Sequence, residues 1–308
     1  MLQDDETIDV QQTCKQPNLQ ADKLVTQAEK RLKSISILNP TKFQDAVELY
    51  EQAASQYKLT KHWIQTAECF VRCAEICEKN KLDDACNHYA NAGKAYKHVN
   101  VQQSIKMLTI SVQLHQEAGR FSAAGKLCKE IASLHQKQMN NVGVVDALTK
   151  ASEFYLAEDA ITHANQCLLQ VADLYAESDQ YEKAFRLNET ITKSSIDNEQ
   201  TAGKWLVKDY LYKALLCQFV LLSSEYANID HLQSKFEEYK DLVPSLDGSR
   251  ECKFVEQLYQ AFVDDDIEAF TNIIYKYNEI YKLDDFSTRL LYQIKMNLKG
   301  NGSENDLT

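Results

Sequence analysis

Small and apolar residues recur at helical spacing along most of the chain, and they recur as a unit. Asp45-Ala46 leads to Tyr50, Ala53-Ala54 and Tyr57. Asp84-Ala85 leads to Tyr89, Ala92-Gly93 and Tyr96, an offset of 39 residues with the residue class kept at each step. Weaker echoes open at Ser122-Ala123 and at Asp146-Ala147, the latter followed by Ala151 and Tyr155, and Tyr181 to Ile191 opens a further unit. A small residue on each turn lets two helices approach closely, while Tyr and Leu fill the spaces between successive pairs. A single helix pair cannot bury its own apolar face, so such units must stack. The pattern predicts an all-α fold: a twisted, right-handed sheet of tetratricopeptide-like helical hairpins with a longer unit, capped by a C-terminal helical bundle.

The same reading divides the chain. Residues 1–20, acidic and containing Pro17, form a flexible arm. A helix runs from Leu19 to Lys33, Pro40 breaks the chain, and Asn39 or Thr41 caps the next helix. Hinges fall at Lys79-Asn80-Lys81, His98-Val99-Asn100, Ala118-Gly119-Arg120, Asn140-Asn141 and Ser178-Asp179. The repeat fades after about residue 195, so the array covers 21–200. From Lys204 to Lys299 the helices remain amphipathic but irregularly spaced, with a loop from Leu242 to Gly248 around Pro244, and 201–300 is read as the capping bundle. Residues 301–308 form an acidic, mobile tail with a penultimate Leu.

Composition narrows the function. Only 3 Pro and 8 Gly punctuate 308 residues, which agrees with helices and argues against an elaborate phosphate-binding loop. A formal net charge of −11 disfavours nucleic acid as a partner, because neutralising phosphates needs a basic surface. The charge sits at the ends: residues 1–22 carry one basic and five acidic groups and residues 230–308 nine and sixteen, leaving 24 of each sign between. An acidic C-terminal surface suits a basic partner. Nine Cys without a Cys-x-x-Cys pair or a secretory leader point to reduced thiols and a cytoplasmic protein, and no run of about 18 apolar residues spans a membrane.

Catalytic signatures are absent. There is no Gly-x-x-x-x-Gly-Lys-Ser/Thr loop, Gly-x-Gly-x-x-Gly turn, His-Glu-x-x-His helix or Gly-x-Ser-x-Gly elbow, so neither an enzyme nor a cofactor is expected. Cys69, Cys73 and Cys77 lie along one helical face and, with His88, form the one set that invites zinc. Their spacing fits small side chains in a tight helix contact better. Asp264-Asp265-Asp266 reads both as a hinge with a helix cap and as a surface for a basic partner.

Glu117-Ala118-Gly119-Arg120-Phe121-Ser122-Ala123-Ala124-Gly125-Lys126, Ala164 to Leu169, Lys208-Asp209-Tyr210 with Lys213-Ala214, and Ser249-Arg250-Glu251-Cys252-Lys253 form a set. Together these stretches resemble the alpha-type soluble NSF attachment proteins. The order and spacing match from about Ala21 to the terminus. The resemblance implies an adaptor without chemistry of its own. It would bind assembled SNARE four-helix bundles containing syntaxin-like SNAREs, then recruit and stimulate the hexameric AAA ATPase NSF for their disassembly in vesicle fusion and intracellular transport. Carried over by position, Lys61, Lys97, Arg120, Lys126, Trp205 and Lys208 would face the SNARE bundle. Asp264, Asp265, Asp266, Glu304, Asp306 and Leu307 would face the ATPase, with Leu307 as an apolar contact that signals rather than adheres. Gln166 and Gln170 stand where the family places lysines, Trp205 where it places Tyr, and Ala202 where it places Leu. The first interhelical loop is shorter than in the animal proteins and lacks their paired phenylalanines. Ile35, Ile37 and Leu38 are its apolar candidates for peripheral membrane contact. The other reading is a generic helical-repeat scaffold that holds peptide tails in its groove.

Overall fold

Ala46, Val47, Tyr50, Ala53, Ala54 and Tyr57 line the buried face of one helix, as the repeat requires. The computed structural model describes residues 18–34, 41–197, 203–224 and 229–305, and within them finds fourteen α-helices and no strand. The chain divides into two compact units, 1–158 and 159–308.

The first unit holds α1 (Leu19–Lys33), α2 (Lys42–Leu59), α3 (Trp63–Lys79), α4 (Ala85–Tyr96), α5 (Val101–Glu117), α6 (Phe121–Lys137) and α7 (Asn141–Leu156). Each packs against the next in sequence. The predicted small residues set the closeness of approach. A Cβ on Gly93 would stand 2.7 Å from Leu108 Cγ, and one on Gly125 about 3.1 Å from the Tyr155 ring. Buried hydroxyls stitch α5 to α4, Ser104 donating to the Gly93 carbonyl and Ser111 to that of Cys86, both at 2.7 Å.

Four hinges of the first unit share one construction. Like Asp84, just ahead of α4, the residue two past the last helical one of α2, α3, α5 and α6 adopts the left-handed conformation: Lys61, Lys81, Gly119 and Met139. Its amide bonds three residues back, and the next amide bonds five back, as in His62 to Tyr57 (2.8 Å), Leu82 to Cys77 (2.8 Å), Arg120 to His115 (2.8 Å) and Asn140 to His135 (3.0 Å). This is the Schellman arrangement, which satisfies helix carbonyls and reverses the chain. Only one of the four positions is Gly, which explains how so many reversals fit a Gly-poor sequence.

The second unit holds α8 (Ile161–Glu177), α9 (Tyr181–Asp197), α10 (Gly203–Ser224), α11 (Asp230–Leu242), α12 (Arg250–Val263), α13 (Ile267–Ile280) and α14 (Asp285–Asn305), with a 3-10 turn at Pro244–Leu246 in the predicted loop. Here the sequence reading needs two corrections. The first is α10, which is apolar around its circumference rather than amphipathic. Leu211, Leu215, Leu216, Phe219 and Val220 are buried in different directions, and α9, α11, α12 and α14 surround it. A helix apolar on all sides belongs inside a bundle. The second is the tail, read as starting at 301. Helix α14 continues through Asn305, since extending an existing helix adds a hydrogen bond for each residue ordered.

Candidate interaction surfaces

Helices of the first unit alternate in direction, so its turns fall on two edges. The stacked rings of Trp63 and His98, 4.0 Å apart, and the Gln102–Gln138 side-chain bond of 3.3 Å join the α2–α3, α4–α5 and α6–α7 turns on one edge. Asn18, ahead of α1, belongs to it through its bond to the Gln56 carbonyl. The contact of Arg120 Nη2 with Cys86 Sγ (3.2 Å) places the α5–α6 turn beside the start of α4 on the other edge.

The predicted SNARE-facing cations divide accordingly. Lys61 is exposed at the left-handed hinge after α2. Lys97 follows α4 on the same edge, with its Nζ 3.8 Å from Glu130 Oε1. Arg120 and Lys126 lie toward the opposite edge, both exposed. Beside Lys126, Glu158 accepts hydrogen bonds from the Ser122 hydroxyl and amide, and these bonds hold its carboxyl below the usual range. The structure therefore brings these cations together in pairs and leaves the stacked helices between the pairs. In the second unit Trp205 and Lys208 both lie on α10, Lys208 half-buried.

The three aspartates form the turn between α12 and α13, exposed throughout. Gln260 donates to Asp264 at 2.9 Å, Asp265 takes the left-handed conformation, and Asp266 caps α13 by accepting from the Ala269 amide at 2.8 Å. The run thus has the hinge-and-cap geometry read from the sequence. Glu304 lies on the last turn of α14. Asp306, Leu307, Ile35, Ile37 and Leu38 lie outside the described residues.

Cys69, Cys73 and Cys77 line the buried face of α3. Burial pushes the Cys69 thiol up to about 12 and raises Cys73 and Cys77 as well, and Cys73 Sγ donates to the Val47 carbonyl at 3.6 Å. These thiols are therefore protonated and packed, whereas a metal ligand must be a thiolate. His88 is buried against the Phe70 ring, with Nδ1 3.8 Å from Glu51. Among the described residues no group of three or more His, Cys, Asp or Glu is arranged to hold a metal ion, and no helix is long and apolar enough to cross a membrane.

Beyond Lys61 and Lys97, the sequence reading passed over the first edge as a surface. It carries Lys58, Lys94 and Lys137 with exposed Leu59, Met139 and Val142. A signal for it exists in the sequence: no acid occurs between Asp84 and Glu117.

A sequence profile of the family "Soluble NSF attachment protein, SNAP" matches residues 19–299. The chain is 31% identical to the beta-soluble NSF attachment protein of Bos taurus, over 92% of this chain and 95% of that one. It is 30% identical to the alpha-soluble NSF attachment protein of Vitis vinifera, covering 91% and 94%. It is 33% identical to the vesicular-fusion protein SEC17 of Coprinopsis cinerea, covering 84% and 88%. A helical chain matched from its first described helix almost to the end of its last belongs to the soluble NSF attachment protein family.

Proposed function

We propose that this protein is a non-enzymatic adaptor that binds assembled SNARE complexes and recruits and stimulates the AAA ATPase NSF for their disassembly in vesicle fusion and intracellular transport. The observation that carries the reading is the family match across 19–299, which takes in the helical array and the bundle alike. On this reading the array (21–200) and the start of the bundle (201–300) meet the acidic SNARE four-helix bundle through Lys61, Lys97, Arg120, Lys126, Trp205 and Lys208. The attraction is long-range and acts across a broad surface. The cations at the two edges of the first unit grip the rod on either side of its stacked helices, and Gln166 and Gln170, both exposed on α8, add no charge of their own. The acidic end presents Asp264, Asp265, Asp266, Glu304 and Asp306 to the hexameric ATPase, with Leu307 transmitting the stimulus. The protein works in the cytoplasm and peripherally on membranes.

ATP-driven disassembly of a preformed SNARE complex, with and without this protein, tests the reading. The wild type supports disassembly; Leu307→Ala still joins the complex but stimulates at least about tenfold less, the loss of roughly one buried apolar contact. A wild type that neither binds SNAREs nor supports disassembly would leave the peptide-binding scaffold as the function.

A further inference from the structure

The first unit presents one edge of which the SNARE assignment uses only Lys61 and Lys97. Along it stand, in order, the start of α1 and the α2–α3, α4–α5 and α6–α7 turns, held side by side by the contacts of Asn18, Trp63–His98 and Gln102–Gln138. The tips of this row are apolar and exposed: Leu19 is 67% accessible, Leu59 77%, Met139 91% and Val142 73%. Isolated exposed apolar residues are ordinary, but a row on successive turns of one edge is not.

The charge of the edge is one-sided. Lys58, Lys94 and Lys137 occupy the last turns of α2, α4 and α6, exposed and with no ion pair to another described residue. Lys61 and Lys97, assigned above to the SNARE bundle, share the row. Helix dipoles alone favour lysines at these C-terminal ends. The same dipoles favour acids in the first turns of α3, α5 and α7, which begin at this edge, yet none of the three has one. The acid that α1 brings, Asp22, is engaged by the Tyr57 hydroxyl. Dipole compensation therefore explains the lysines, but neither the missing acids nor the apolar tips.

We infer that this edge rests on an anionic lipid surface, with Leu59, Met139 and Val142 entering the headgroup layer and Lys58, Lys94 and Lys137 facing the phosphates. Apolar tips flanked by lysines, with no acid in the first turns of α3, α5 or α7 and Asp22 of α1 held by the Tyr57 hydroxyl, fit interfacial binding. A protein partner is the poorer fit, because each tip protrudes on its own turn and would need its own matching well, whereas a headgroup layer receives separate tips equally. The surface is distinct from the stretch of Ile35, Ile37 and Leu38 between α1 and α2, which lies outside the described residues.

Co-flotation of the full chain with vesicles tests this, using phosphatidylcholine alone or with about 30% phosphatidylserine. The wild type floats with the anionic vesicles and not with the neutral ones. Met139→Asn/Val142→Ser keeps a residue that tolerates the left-handed hinge, and Lys58→Gln/Lys137→Gln removes two charges. Each lowers the bound fraction about tenfold while circular dichroism and thermal midpoint stay at wild-type values. Ile35→Ser/Ile37→Ser/Leu38→Ser lowers it less than either. Both edge variants keep the wild-type rate of disassembly on a soluble SNARE complex without vesicles, so failure here is separable from failure of the adaptor reading. Absence of binding to anionic vesicles overturns the inference, as does loss through the loop variant alone. So does an edge variant that loses soluble disassembly while keeping vesicle binding, which would assign the edge to a protein.

Discussion

His88 and His115 show how the array treats polar groups that it buries. Both are nearly inaccessible, and neither Nδ1 has a hydrogen-bond partner among the described residues. Burial lowers both pKa values; for His88 the carboxylates of Glu51 and Asp84 oppose the shift, and for His115 the Arg120 guanidinium adds to it. A histidine whose folded pKa lies below its unfolded value binds more protons when unfolded, so stability rises with pH. The contribution is complete above the unfolded value of about 6.5 and is lost as pH falls through it toward the folded value. Urea unfolding between pH 7.5 and 5 is expected to show falling stability, and His115→Gln to reduce the slope. An unchanged slope in that variant would place the titration elsewhere. The cysteines are the simpler case, since their helical spacing read as packing and their protonated, buried thiols are packed.

At the level of elements the hinge of α12 and α13 separates folding from recognition. Asp266 supplies the cap through its side-chain oxygen, which Asn reproduces, whereas its charge is what a basic ATPase surface would meet. Asp266→Asn is expected to keep the unfolding free energy and weaken ATPase recruitment. Asp266→Ala loses about 1 kcal/mol in denaturant melts as well. Equal recruitment by wild type and Asp266→Asn would make this aspartate a cap only. Helix limits were largely legible because capping and periodicity are local: Leu19–Lys33 is α1 as read, and the predicted hinges fall at helix ends. The character of α10 was not, since Trp205 to Ser223 reads as one more amphipathic stretch until α9, α11, α12 and α14 close around it.

For the whole molecule, charge decides more than shape. The total of −11 conceals a balanced middle and acidic ends, and the first unit concentrates lysines on one edge. Capture of assembled SNARE complexes is therefore expected to weaken several-fold between about 0.05 and 0.3 M salt, as the Debye length shortens roughly twofold, with the change mainly in association rate. Surface plasmon resonance over that range checks it, and a salt-independent affinity would argue for an apolar interface instead.

The sequence by itself determined the all-helical class, the 39-residue unit, the hinge positions, the absence of familiar catalytic motifs and the family resemblance. These depend on residues within a few turns of one another, or on order along the chain. Only the tertiary structure decided that Leu59 and Met139 share an edge, that Lys61 and Arg120 stand on opposite ones, and that α10 is surrounded. Each of those facts depends on which helices pack together, and side chains distant in sequence settle that through contacts no local pattern encodes.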